Sequence, residues 1–86
     1  MRHAATIPRF LLHHSHAPRD CGAAYAAFRG RDTPLRHRPA AASCRWGGHE
    51  IWWTVEAAGA DDALALLPGF VADPTTVTRV DDVVIP

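Results

Sequence analysis

The residues best able to do chemistry in this sequence are histidines and cysteines. His13, His14 and His16 lie within four positions of one another, His49 follows further on, and Cys21 and Cys44 are the two cysteines. Imidazole and thiolate together suit zinc, nickel, copper and iron, and a stable site needs three or four such donors. His14 and His16 are two residues apart on an expected strand, so both point to the same face. Cys44 and His49 are expected on one face of a hairpin. If the two pairs share that face, His14, His16 and His49 form a set with Cys44 nearby. His13 points the other way, toward Glu50 and Trp52, where it can line a cleft instead. The competing structural reading makes these partly exposed histidines at a strand end, or core histidines with satisfied hydrogen bonds.

Other reactive side chains have plainer readings. Cys21 lies in an expected first helical turn, where the dipole favours a thiolate. It also falls on an apolar stripe with Ala24 and Phe28, which reads as a small buried hydrophobe. Trp52 and Trp53 point to opposite faces of a strand, so one belongs to the core and the other to an interface or ligand pocket. The loop from Gly30 to Pro39 carries Arg31, Arg36 and Arg38 and reads as a solvated connection, with anion clamping as the alternative. It lacks interleaved aromatics, which disfavours nucleic-acid binding.

The 86 residues suffice for one domain and one core, and their 48% hydrophobic and 21% charged content is that of a folded chain. Formal net charge is zero, so bulk electrostatics do not draw the chain to nucleic acid or to a membrane. Charge is nevertheless uneven: residues 1–45 hold eight Arg and two Asp, whereas residues 46–86 hold one Arg and seven acids. Lysine is absent. No apolar run approaches membrane-spanning length and no signal-peptide core is visible, so the expected location is cytoplasmic, with both cysteines reduced.

The elements that must position these residues follow from pattern. Residues 1–8 are expected to form a loose leader and 9–86 a single domain. Arg9 to His16 reads as a strand. Pro18 and Asp20 mark a helix that runs to about Arg29, with Gly30 as its stop. Residues 41–46 and 49–57 read as a hairpin around Gly47-Gly48. That turn opposes Arg45 to Glu50 as an ion pair, Cys44 to Ile51 and Ser43 to Trp52. Asp61 and Asp62 open a second helix whose inward stripe is Ala63, Leu64 and Leu67, ended or kinked at Pro68-Gly69. Thr75 to Val80 is a β-branched strand, and Val83 to Ile85 a short final one.

The order β, α, β, β, α, β predicts an α+β fold: a ferredoxin-like sandwich, with a four-stranded antiparallel sheet and two helices on one face. Right-handed crossovers place the first and third strands in the centre. The end of strand one, with His14 and His16, then lies beside the start of strand three, with His49. This pattern resembles the dimeric α/β-barrel proteins over roughly residues 9–86. The nearest likeness is to small nickel-binding members, which also begin with a strand ending in adjacent histidines, here His13-His14. They also end with an Ala/Leu helix and a Thr/Val strand, here Ala63 to Leu67 and Thr75 to Val80. The resemblance implies a homodimer whose two sheets enclose a cleft; members include monooxygenases, haem-degrading enzymes, isomerases and metal binders.

Three functions follow. The leading one is a dimeric domain binding nickel, zinc or copper through His13, His14, His16, His49 and Cys44. The second is an enzyme of the cleft, acting on a small planar ligand lined by His13, Glu50 and Trp52; no nucleophile, base and orienting group fall together to support it. The third is a structural or regulatory dimer without chemistry.

Overall fold

The computed structural model describes residues 7–86. The expected leader therefore lies mostly outside the described residues; Ile7 and Pro8 precede the first strand without regular structure. Four strands form one sheet: β1 (Arg9–Ser15), β2 (Ala41–Ala42), β3 (Glu50–Glu56) and β4 (Thr75–Val80), in the order β2-β3-β1-β4. Every pairing is antiparallel. The expectation that the first and third strands are central and antiparallel is met. Three short helices accompany the sheet: α1 (Cys21–Ala26), α2 (Ala60–Leu64) and α3 (Gly69–Ala72). The result is an α+β fold.

The period-two alternation of β1 and β3 decides which face is covered. Phe10, Leu12 and His14 are buried on β1, and Ile51, Trp53 and Val55 on β3. Register places Phe10 opposite Val55, Leu12 opposite Trp53 and His14 opposite Ile51. These apolar residues join Leu35, Ala63, Leu67 and Val71 in one core cluster, with Phe28 and Val77 packed against it. On the other face Leu11, His13 and Trp52 are half-buried and Thr76 is exposed, with no helix over them among the described residues. Trp53 is thus the core tryptophan and Trp52 the one on the open face.

Helical elements are shorter than their patterns suggest. The first begins as a single 3-10 turn at Pro18–Asp20 and becomes α-helical at Cys21. The α-helix ends at Ala26, short of the expected Arg29, and residues 27–30 continue as turns up to Gly30, which adopts φ 73°. The second is divided at Pro68, after which α3 starts as a separate turn. Ala63 and Leu67 of its stripe are buried and Leu64 is half-buried. Val83 to Ile85 form no strand and are exposed. A final strand was expected from β-branching alone, and no neighbouring edge pairs with it among the described residues.

The hairpin differs most from expectation. Ala41 pairs with Trp52 and Ala42 with Ile51, so the register is slipped by two residues relative to a Gly47-Gly48 turn. Ser43 causes the slip. Its N–H donates to the Glu50 carbonyl at 2.9 Å, and its Oγ accepts from the Glu50 N–H at 3.1 Å. Its carbonyl accepts from both Trp46 and Gly48 N–H, each at 2.9 Å. Side-chain bonding of this kind competes with ladder bonding and ends the strand early. Cys44–Trp46 then turn as 3-10 helix, and the left-handed residues are Gly47 (φ 89°) and His49 (φ 54°) rather than two glycines. Three pairings are corrected: Cys44 does not oppose Ile51, Ser43 does not oppose Trp52, and Arg45 does not pair with Glu50. Glu50 instead bonds His13. Cys44 lies in the 3-10 turn, outside the β2 ladder, so its place is set by the turn and not by strand alternation.

Candidate metal centre

Three short segments meet at one end of the sheet. The first is the end of β1, where the ladder continues one step: the His16 N–H donates to the His49 carbonyl at 3.1 Å. The second is the start of α1. Only Ala17 and the tight Pro18–Asp20 turn separate it from His16, so the chain doubles back and sets Cys21 beneath the strand end. The third is the Cys44–His49 loop, folded over the Ser43 carbonyl. Gly48 is essential to that fold, because a Cβ there would collide with Ser43 Oγ.

Those segments deliver His16, Cys21, Cys44 and His49 to one point. One ligand atom from each lies within 4.8 Å of the others, and all four side chains are partly exposed. His16 Nε2 is 3.2 Å from Cys21 Sγ and 3.6 Å from Cys44 Sγ, and His49 Nδ1 is 3.1 Å from Cys21 Sγ. A tetrahedral zinc ion with two sulfur and two nitrogen ligands has ligand–ligand edges of about 3.3–3.8 Å, from its bond lengths. Of these separations, 3.6 Å falls within that range and the two shorter ones lie just below it. Among the described residues, this is the group of His, Cys, Asp and Glu whose spacing suits a metal.

The surroundings act on the thiols. The Cys21 thiol is pushed above its ordinary value, chiefly by burial and then by hydrogen bonding and charge from Cys44. The Tyr25 hydroxyl donates to Cys44 Sγ at 3.5 Å and is pushed up to about 12, chiefly by that contact. Tyr25 therefore keeps its proton and faces the sulfur as a donor.

Of the residues singled out by sequence, the structure brings His16, His49 and Cys44 together. His14 lies one layer behind them. It is fully buried, with Nε2 3.0 Å from His16 Nδ1, and Nδ1 3.0 Å from the Val71 carbonyl and 3.2 Å from Thr75 Oγ1. Burial lowers its pKa, against the opposing pull of the Val71 hydrogen bond. His13 is on the open face, where its Nε2 bonds Glu50 Oε1 at 2.6 Å and its ring stacks on Trp52, centroids 5.2 Å apart and planes 3° apart.

Cys21 is the residue sequence reasoning passed over. Its place on a helical stripe with Ala24 suggested core, yet α1 is so short that its first residue faces the strand end while Ala24 alone is buried. A signal was available: a cysteine five residues after a strand-end histidine, across a Pro-containing turn. No helix of the described residues is long and apolar enough to cross a membrane. Comparison of the chain with protein-family models, with curated proteins and with solved structures finds no match.

Proposed function

We propose that this chain is a metal-binding domain holding one transition-metal ion between His16, Cys21, Cys44 and His49. The observation that carries the reading is the convergence of two imidazoles and two thiols, from three separate segments, within 4.8 Å. Two soft thiolates with two imidazoles select zinc or copper(I) over harder cations, and a set of two sulfurs and two nitrogens suits tetrahedral zinc better than nickel. Four protein donors leave no open position, which makes the site structural rather than catalytic. The ion would tie β1, α1 and the β2–β3 loop together, so its binding energy would become folding energy.

The domain is further proposed to be ferredoxin-like and to pair as a homodimer. The order β2-β3-β1-β4 supports the first point, as does the packing of Phe28 from the first crossover and Val71 from the second against one sheet face. The half-buried Leu11, His13 and Trp52 on the other face support the second. Kinship with the dimeric α/β-barrel proteins rests on the same features. The cleft-enzyme reading retains the His13–Glu50 pair beside Trp52, without a nucleophile to complete it.

Metal analysis of protein purified without a polyhistidine tag, followed by titration with zinc, nickel and copper(I), tests the proposal. One equivalent of zinc or copper per chain is expected, with loss of binding in a Cys21→Ser/Cys44→Ser variant. Failure of all three metals to bind at micromolar concentration would contradict it.

A further inference from the structure

One fully buried polar side chain in the core is not a ligand in this account: His14. We propose that His14 is a positioning residue that fixes the tautomer of His16, so that Nε2 of His16 presents its lone pair to the metal. The final step of this inference rests on the metal reading above; the tautomer itself does not.

The direction of each hydrogen bond follows from what its partner can do. The Val71 carbonyl can only accept, so the His14 nitrogen 3.0 Å away must carry a proton, at Nδ1. Thr75 spends its own hydroxyl proton on that same carbonyl at 2.6 Å, so its oxygen is left as an acceptor toward His14 Nδ1, at 3.2 Å. His14 is sealed from solvent, with 0% of its surface exposed. Its ring hydrogen bonds go to a carbonyl, a hydroxyl and another imidazole, with no carboxylate among them. A second ring proton would be a buried charge with no counter-charge, which is costly. His14 Nε2 therefore keeps its lone pair.

His16 Nδ1 faces that lone pair at 3.0 Å, so it must be the donor. A neutral imidazole has one N–H, and spending it on Nδ1 leaves His16 Nε2 bare, 3.2 Å from Cys21 Sγ and 3.6 Å from Cys44 Sγ. A free imidazole in water prefers the opposite tautomer, with the proton on Nε2, which would block ligation there. Metal-ligating histidines are commonly held by an outer partner on their second nitrogen, and losing that partner typically costs 10–100-fold in affinity. Here the outer partner is a second imidazole, and the relay ends on Val71 in α3 and Thr75 at the start of β4. The cluster is thereby tied to a junction that supplies no ligand.

Nitrogen NMR of the ring protons in the metal-free, full-length protein tests the tautomer directly, whether or not a metal binds. His14 and His16 are both expected as Nδ1–H forms. Finding His16 as the Nε2–H form would overturn the proposal and leave the metal reading standing. Zinc titration then tests the consequence. His14→Phe, which keeps ring volume and removes the acceptor, should weaken zinc binding 10–100-fold and return His16 to the Nε2–H form. His14→Gln, which can both donate and accept, should restore most of the affinity. Unchanged zinc affinity in folded His14→Phe would overturn the relay, and should that variant fail to fold, the wild-type tautomer decides. Wild-type protein that shows the expected tautomers but binds no zinc would remove the metal reading alone.

Discussion

Chemistry at the centre depends on individual protons. The Cys21 thiol is held above its ordinary value by burial and by Cys44, so in the metal-free protein at neutral pH it is protonated. Metal binding must displace that proton, because the ligand is the thiolate. Raising the pH removes the competing proton, so apparent zinc affinity should increase with pH, by about tenfold per unit for each proton released. Zinc titrations at several pH values, read together with proton release into a weak buffer, check this; pH-independent affinity would argue against thiolate ligation. Single replacements separate the two histidine sets. Cys21→Ser should weaken zinc binding by more than about 100-fold, beyond the range seen for outer partners, while His13→Ala should leave it unchanged. The two sets were legible as sets, since alternation alone divides His13 from His14 and His16. The part played by Cys21 was not. Helical periodicity describes a stripe, and a helix only six residues long has too little stripe for its first residue to follow.

At the level of elements, the site depends on how the β2–β3 loop is wound. A two-residue glycine turn would have carried Cys44 along β2 and away from Cys21. Ser43 instead ends the ladder with its own side chain, and a 3-10 turn brings Cys44 back toward the strand end. Gly–Gly hairpin chemistry is a strong local signal, but a serine able to bond the opposite strand competes with it, and the sequence offers no way to rank the two. Cys44 reaches the strand end through the 3-10 turn and not through strand alternation, since it lies outside β2. Gly48 is where this winding is most easily broken. Gly48→Ala would place a methyl group against Ser43 Oγ and should cost about 1–3 kcal/mol of stability, the range for overpacking. It should also weaken zinc binding, because the loop carries both Cys44 and His49. Chemical denaturation with and without zinc measures both effects; a neutral substitution would mean that the loop is wound differently.

For the molecule as a whole, the central strands were readable and the periphery was not. Arg9–Ser15 and Glu50–Glu56 are long and apolar enough to read as strands, whereas their adjacent apolar residues, Leu11-Leu12 and Trp52-Trp53, leave open which face packs on the helices. Short elements such as α2, α3 and β2 are set by tertiary contacts that leave little trace in local pattern. A domain of this size has a limited core, and a metal joining three of its segments would supply stability that the core lacks. Chelation with EDTA should therefore lower the thermal midpoint by several degrees, since about 1 kcal/mol corresponds to 4–8 °C in so small a domain, and zinc should restore it. An unchanged midpoint would separate the metal from the fold.

The central claim, that two thiolates and two imidazoles from His16, Cys21, Cys44 and His49 hold one metal ion, is tested most directly by X-ray absorption at the zinc edge on the zinc-loaded protein. A four-coordinate shell with two sulfurs at about 2.3 Å and two nitrogens at about 2.0–2.1 Å is expected. A shell of nitrogen and oxygen alone, or protein that takes up no zinc, would contradict it.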